Sequence, residues 1–264
     1  MPHAAASWAS LQAIRRGAPL VHNITNFVAM EVVANCLLAL GASPAMVLAE
    51  EEVEDFIAVA DVLVVNIGTL SAPQLAAMRR GASRATALGR PWVLDPVGAG
   101  ATPWRTRAAL ELIDLRPTVI RGNGSEILAL AGASAATKGV DSAHSSDEAV
   151  DAAEQLARSS GAVVAVTGEI DRITDGERWR KVKNGDARMT RVTALGCAAS
   201  AVIGAFLVVE RDPLEAAAQG LATFGLAGER AAAEAPGPGS LRWRIVDELA
   251  LLDEATVRRG VMIA

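Results

Sequence analysis

The sequence predicts an α/β fold: a largely parallel central sheet with helices on both faces, then a C-terminal β-hairpin followed by helices. Three observations carry this. Short apolar runs alternate with amphipathic stretches, which is the order of a parallel sheet with crossover helices. Asp175-Gly176 lies between two polar-apolar runs and signals a tight hairpin. The composition is 51% hydrophobic but only 3% aromatic, with no tyrosine. A core of Ala, Val, Leu and Ile suits parallel strands under closely packed, Ala-rich helices.

In chain order, "LVHNIT" (20–25), "PAMVLA" (44–49), "VLVVNIG" (62–68), "PWVLDPV" (91–97), "TVIRGN" (118–123) and "AVVAVTG" (162–168) read as strands. They are brief, several are β-branched, and most are bounded by Pro, Gly or Asn. Helices are expected over 27–40, 72–88, 103–116, 125–131 and 146–159. The hairpin occupies 172–182 and only helices follow, over 196–210, about 213–231 and about 241–253. No repeat or long linker divides the chain, so residues 1–264 are expected to form one domain.

The net charge of −5 argues against a nucleic-acid partner, because phosphate backbones are held by basic patches. The short basic spots at 14–16 and 257–260 read as solvated helix ends. Only Cys36 and Cys197 are present, without a CxxC pair or a His/Cys cluster, so neither a disulfide scaffold nor a structural zinc site is expected. The N-terminus lacks a basic-then-apolar secretory pattern, and the longest apolar run, about 198–209, is too short to span a bilayer. The expectation is a cytoplasmic protein without a membrane partner.

In open α/β sheets, ligands bind beyond the carboxyl ends of the strands. Those ends carry Asn23, Thr25 and Asn26; Met46; Asn66, Gly68 and Thr69; Asp95; Arg121 and Asn123; and Thr167, Gly168 and Glu169. Each alone has a plain structural reading: Asn26 as a helix cap, Asp95-Pro96 and Thr167-Gly168 as turns. Their recurrence at one edge points to a site. Asp95 is a natural seat for Mg²⁺, which takes few protein carboxylates plus waters and phosphates. Arg121 can reach a phosphate. Glu126, three residues after Asn123, serves either the same cleft or the dipole of its own helix.

"VTALGCAAS" (192–200) feeds small residues into a helix start, leaving backbone N–H groups free for an anion. Neither G-x-x-x-x-G-K-S/T nor G-x-G-x-x-G occurs, so the two best-known phosphate loops are excluded. Cys197 sits at this positive helix end, which favours thiolate character; its plain alternative is a small hydrophobe in the core.

Taken together, "PLVHNITNFVAMEVVANCLLALGASPAM" (19–46), "LDPVGAGAT" (94–102), "RGNGSEILALAG" (121–132), "VAVTGEIDRITDG" (164–176), "GCAASAVIGAFL" (196–207) and "GPGS" (237–240) resemble, in order and spacing, the hydroxyethylthiazole kinases. The resemblance runs almost end to end. It implies a ribokinase-like fold, and phosphorylation by ATP of the hydroxyethyl group of 4-methyl-5-(2-hydroxyethyl)thiazole for thiamine salvage. It implies Mg²⁺ and a homotrimer with the thiazole pocket at subunit contacts.

Residue by residue, the resemblance puts Met46 in the thiazole pocket with Asn26 close by, and Ala194 against substrate through its main chain. Arg121 and Thr167 would contact the nucleotide, and Gly196 the phosphoryl group at the helix start. Asp95 and Glu126 would hold or orient Mg²⁺, partly through water. Cys197 falls where sugar and pyrimidine kinases of this fold place an Asp general base, and would orient or deprotonate the substrate alcohol. The family usually reads Gly-Thr-Gly-Cys at this loop; here it is Ala194-Leu195-Gly196-Cys197. Two alternatives stand beside a thiazole kinase: a kinase for another small heterocyclic alcohol, and a thiazole- or nucleotide-binding protein with little turnover.

Overall fold

The parallel run of the sheet begins at β1 (Leu20–Ile24), a strand buried along almost its whole length. The computed structural model describes residues 2–134 and 146–264. β1 is flanked by β2 (Ser43–Ala45) on one side and β3 (Val62–Asn66) on the other. β4 (Trp92–Asp95), β5 (Val119–Asn123) and β6 (Val163–Thr167) continue in parallel. β7 (Asp171–Thr174) and β8 (Trp179–Val182) then complete an eight-stranded sheet antiparallel, around the Asp175-Gly176 turn.

Two apolar layers sandwich the sheet. One face carries α1 (Pro2–Gly17), α2 (Met30–Leu40), α8 (Leu195–Val209), α9 (Pro213–Glu234), α10 (Pro238–Leu251) and α11 (Glu254–Gly260). The other carries α3 (Val53–Val59), α4 (Ala72–Ala87), α5 (Pro103–Ile113), α6 (Gly124–Ser134) and α7 (Ser146–Ser160). The helix after β1 packs on the first face and the helix after β3 on the second. The direction of winding therefore reverses between β1 and β3, which opens a crevice at their carboxyl ends.

Several expectations shift. The predicted strand 44–49 keeps only its start: β2 ends at Ala45, and beyond it the His22 ring bonds the Val47 carbonyl at 2.8 Å. The helix predicted from Phe27 starts at Met30, because Asn26 Oδ1 accepts from the Ala29 amide and holds Phe27-Val28 in a turn. Helix α3 was not expected, and α1 and α11 were anticipated only as the helix ends at 14–16 and 257–260. In α1, Ala4, Leu11 and Ile14 form the buried stripe. Arg15 is no solvated helix end: its guanidinium donates to the carbonyls of Leu249, Ala250 and Leu252 and caps α10. Among the described residues, no helix is long and apolar enough to cross a membrane.

Candidate active site

Strand register delivers the polar strand ends to one edge. Asn66 lies directly beside Asp95, and Asn123 beside Thr167. Parallel pairing keeps these last residues level, so the loops that follow all open on the same side.

Across the crevice a chain of buried side chains is hydrogen bonded. Asn26 Nδ2 donates to Asn66 Oδ1 at 2.8 Å and to Cys197 Sγ at 3.3 Å. Asn66 Nδ2 donates to Asp95 Oδ2 at 2.7 Å, and Ser200 Oγ donates to the same oxygen at 2.8 Å. The Ala29 and Gly68 amides fix the orientation of both asparagines by donating to their side-chain oxygens. Asn26, Cys197 and Asp95, far apart in sequence, thus meet in one network. Of its links, Asn66 stood among the strand-end candidates, whereas Ser200 is a residue that sequence reasoning did not single out.

Asp95 is fully buried, and its Oδ1 has no partner among the described residues. Burial pushes its carboxyl up to about 6, against the pull of Arg121, whose Nη1 lies 3.9 Å from Oδ2. Cys197 corrects an expectation. Burial, with Asp95 nearby, pushes its thiol up to about 11 despite the helix start, so it is a neutral thiol near pH 7.

The turn before α8 is set by Ala194, in the left-handed region at φ 68°. The first backbone bond of α8 is Ala198 N–H to Ala194 O, leaving the amides of Leu195, Gly196 and Cys197 for another acceptor. A Cβ costs roughly 1–2 kcal/mol in this region. Ala194→Gly is therefore expected to raise stability by about 1 kcal/mol in urea unfolding, with secondary structure unchanged.

Arg121 lies against Gly196, where a Cβ would stand 2.8 Å from Nη1. Its Nη2 donates to Thr167 Oγ1 at 2.7 Å, while its buried Nε has no partner among the described residues. These three residues border a cleft of about 940 Å³, walled by Gly168–Asp171, Lys183–Ala187 and α9 at Leu221, Phe224 and Gly225. The wall 183–190 was missed at the level of sequence, where it has no motif. Met46 lies apart from the network, half-buried against the same apolar layer as Cys197 and Ala194.

The carboxylates near Asp95 are sparse for a metal site. Glu126 Oε1 accepts from the Gly98 amide (2.9 Å) and Oε2 from the Asn123 amide (2.8 Å), while Asn123 Oδ1 accepts from the Glu126 amide. Glu126 thus ties the start of α6 to the loop after β4, with both carboxylate oxygens engaged by backbone amides. Among the described residues there is no group of three or more His, Cys, Asp or Glu fit to cage a metal. One unpartnered carboxylate oxygen on Asp95, with a second carboxylate held by amides, fits a cation that keeps its waters and takes substrate phosphates.

The family model described as "Hydroxyethylthiazole kinase family" matches residues 11–255. A hydroxyethylthiazole kinase of Tolumonas auensis is 55% identical over 95% of this chain and 95% of its own length. One from Arabidopsis thaliana is 50% identical over 97% and 94%. The structure of a hydroxyethylthiazole kinase protein from Pyrococcus horikoshii superposes with a TM-score of 0.92 at 43% identity, covering 98% of each chain. The pyridoxal kinase of Staphylococcus aureus in complex with AMP-PCP shares the fold alone, at a TM-score of 0.64 and 18% identity. With this likeness running over nearly the whole chain, the protein belongs to the hydroxyethylthiazole kinase family.

Proposed function

We propose that the protein transfers the γ-phosphoryl group of ATP to the hydroxyethyl oxygen of 4-methyl-5-(2-hydroxyethyl)thiazole, within one kinase domain spanning 1–264. The observation that carries this reading is the junction at Asp95. Asn26 and Cys197 reach it from the crevice side through Asn66, and Arg121 reaches it from the cleft side. The alcohol binds near Asn26, Cys197, Met46 and the Ala194 main chain; the nucleotide binds near Arg121, Thr167 and Gly196.

Asp95 would hold Mg²⁺ directly and Glu126 through water; the ion's part is to neutralise charge on the phosphates. The chain's own residues do the positioning. Arg121 offers a guanidinium to phosphate oxygens, and the free amides of α8 face the transferring group. Cys197, a neutral thiol whose sulfur accepts from Asn26, orients the alcohol and does not take its proton. The loose transition state of phosphoryl transfer needs little base catalysis. Cys197→Ala is accordingly expected to lower kcat by about tenfold, below the range of a lost general base, with KM for the thiazole changing less. A loss of a thousandfold or more would restore the base role.

The proposed assembly is a homotrimer, supported by the exposure of the apolar pair Phe27 and Val28 in the turn after β1, on the crevice side. Light scattering on purified protein tests it. ³¹P spectroscopy of the product mixture tests the reaction: a new phosphate monoester that forms only with the thiazole supports it, and free phosphate alone contradicts it.

A further inference from the structure

The cleft wall at Lys183–Ala187 has a built anchor. Asn184 is buried, and all of its amide is engaged. Its Nδ2 donates to Gly260 O at 2.8 Å and to Glu229 Oε1 at 3.2 Å, and its Oδ1 accepts from Met262 N–H at 2.7 Å. Glu229 Oε1 also accepts from the Gly185 amide at 2.8 Å.

The chain around Asn184 is tied to the same segment. Lys183 N–H donates to Met262 O, and Lys181 and Ala264 exchange two backbone bonds. Residues 262–264 thereby extend the sheet beyond β8, with Val182 and Ile263 paired antiparallel. From the other side, α9 presses on the wall: a Cβ on Gly225 would stand 2.5 Å from Asn184 O, and one on Gly228 would overlap Met189 Sδ. The wall is held between α9 and the 260–264 segment, and among the described residues Asn184 is the one side chain hydrogen bonded to both.

We propose that Asn184 is a positioning residue for nucleotide binding, and that through it the segment Gly260–Ala264 is energetically part of the nucleotide site. This rests on the reading of the cleft as that site. By linkage, whatever holds the wall for the nucleotide is itself held by the nucleotide.

ADP and the thiazole alcohol are titrated separately, by calorimetry, into the full chain and into Asn184→Asp. The substitution replaces the amide donor with a carboxylate that faces the Gly260 and Glu229 oxygens. ADP affinity is expected to fall at least tenfold, with thiazole affinity within about twofold. Adding Glu229→Gln, which offers an amide to the new carboxylate, is expected to recover part of the loss. In the unsubstituted protein, hydrogen exchange at the Met262 and Ala264 amides is expected to slow several-fold with ADP and to stay unchanged with thiazole.

Equal ADP affinity in a folded Asn184→Asp variant, or exchange at 262 and 264 indifferent to bound ADP, overturns the proposal. Failure of the unsubstituted protein to bind ADP at all overturns the cleft reading first, and this proposal with it.

Discussion

Asp95→Asn is expected to lower kcat by about 10²–10³-fold, the loss typical when a group that stabilises transition-state charge is removed. Asn66 and Ser200 both donate to Asp95 Oδ2, so an amide at this position turns its oxygen toward them. Its NH₂ then occupies the place of the free Oδ1, where a cation would have been held. The same substitution is expected to stabilise the protein. Burial raises the folded carboxyl from its ordinary 3.8 to about 6. A raised carboxylate contributes most below its unfolded value, and that contribution is lost as pH rises through the folded value. In metal-free buffer the stability gain of Asp95→Asn over the parent should therefore be greatest above pH 6, on the order of 2–3 kcal/mol, and shrink toward pH 4. Denaturant melts at the two ends of this range check it. A gain independent of pH would contradict the assignment of a charged, desolvated Asp95.

Gly196→Ala is expected to cost about 10–100-fold in kcat/KM for ATP. The added methyl would stand 2.8 Å from Arg121 Nη1 and 3.4 Å from Nη2, closer than the guanidinium can tolerate. The guanidinium would have to shift, straining its 2.7 Å bond to Thr167 and moving the cation proposed to meet the phosphates. A displacement of about 1 Å can cost about 10² in rate. Steady-state kinetics with each substrate varied in turn check this. The defect should sit in the ATP parameters, with the thiazole KM close to that of the parent. An unchanged kcat/KM for ATP would show that Arg121 does not need its observed position.

Much of this was legible in the sequence because parallel strands obey a simple rule. Once "VLVVNIG" and "PWVLDPV" are strands, their polar last residues must share an edge, and Asn66 does lie beside Asp95. The turn chemistry of Asp175-Gly176 located the antiparallel pair equally directly. What stayed hidden depends on distance. Ser200 bonds Asp95 across 105 residues of sequence, and no local pattern announces it. The strained turn was indicated by the family resemblance, since an alanine stands at 194 where the family usually has glycine.

The Cys197 thiol defeated the local argument for a different reason. A helix start favours thiolate, but burial beside Asp95 outweighs a dipole whose effect is confined to the first turn. The cleft wall at 183–190 is the plainest omission. "VKNGDARMT" has neither periodicity nor motif, and its role comes from the clearance left by Gly225 and Gly228 on a helix forty residues away. Helix α1 could have been found from the spacing of Ala4, Leu11 and Ile14, whereas α3, at seven residues, is too short for periodicity to show.

The most direct test of the central claim is ADP release by the purified protein with ATP and Mg²⁺, in the presence of hydroxyethylthiazole, of hydroxymethylpyrimidine, or of neither. The account predicts ADP formation that depends on the thiazole, and only background release with the pyrimidine or with no acceptor. Release that is the same with and without thiazole, or that depends on the pyrimidine instead, would contradict it.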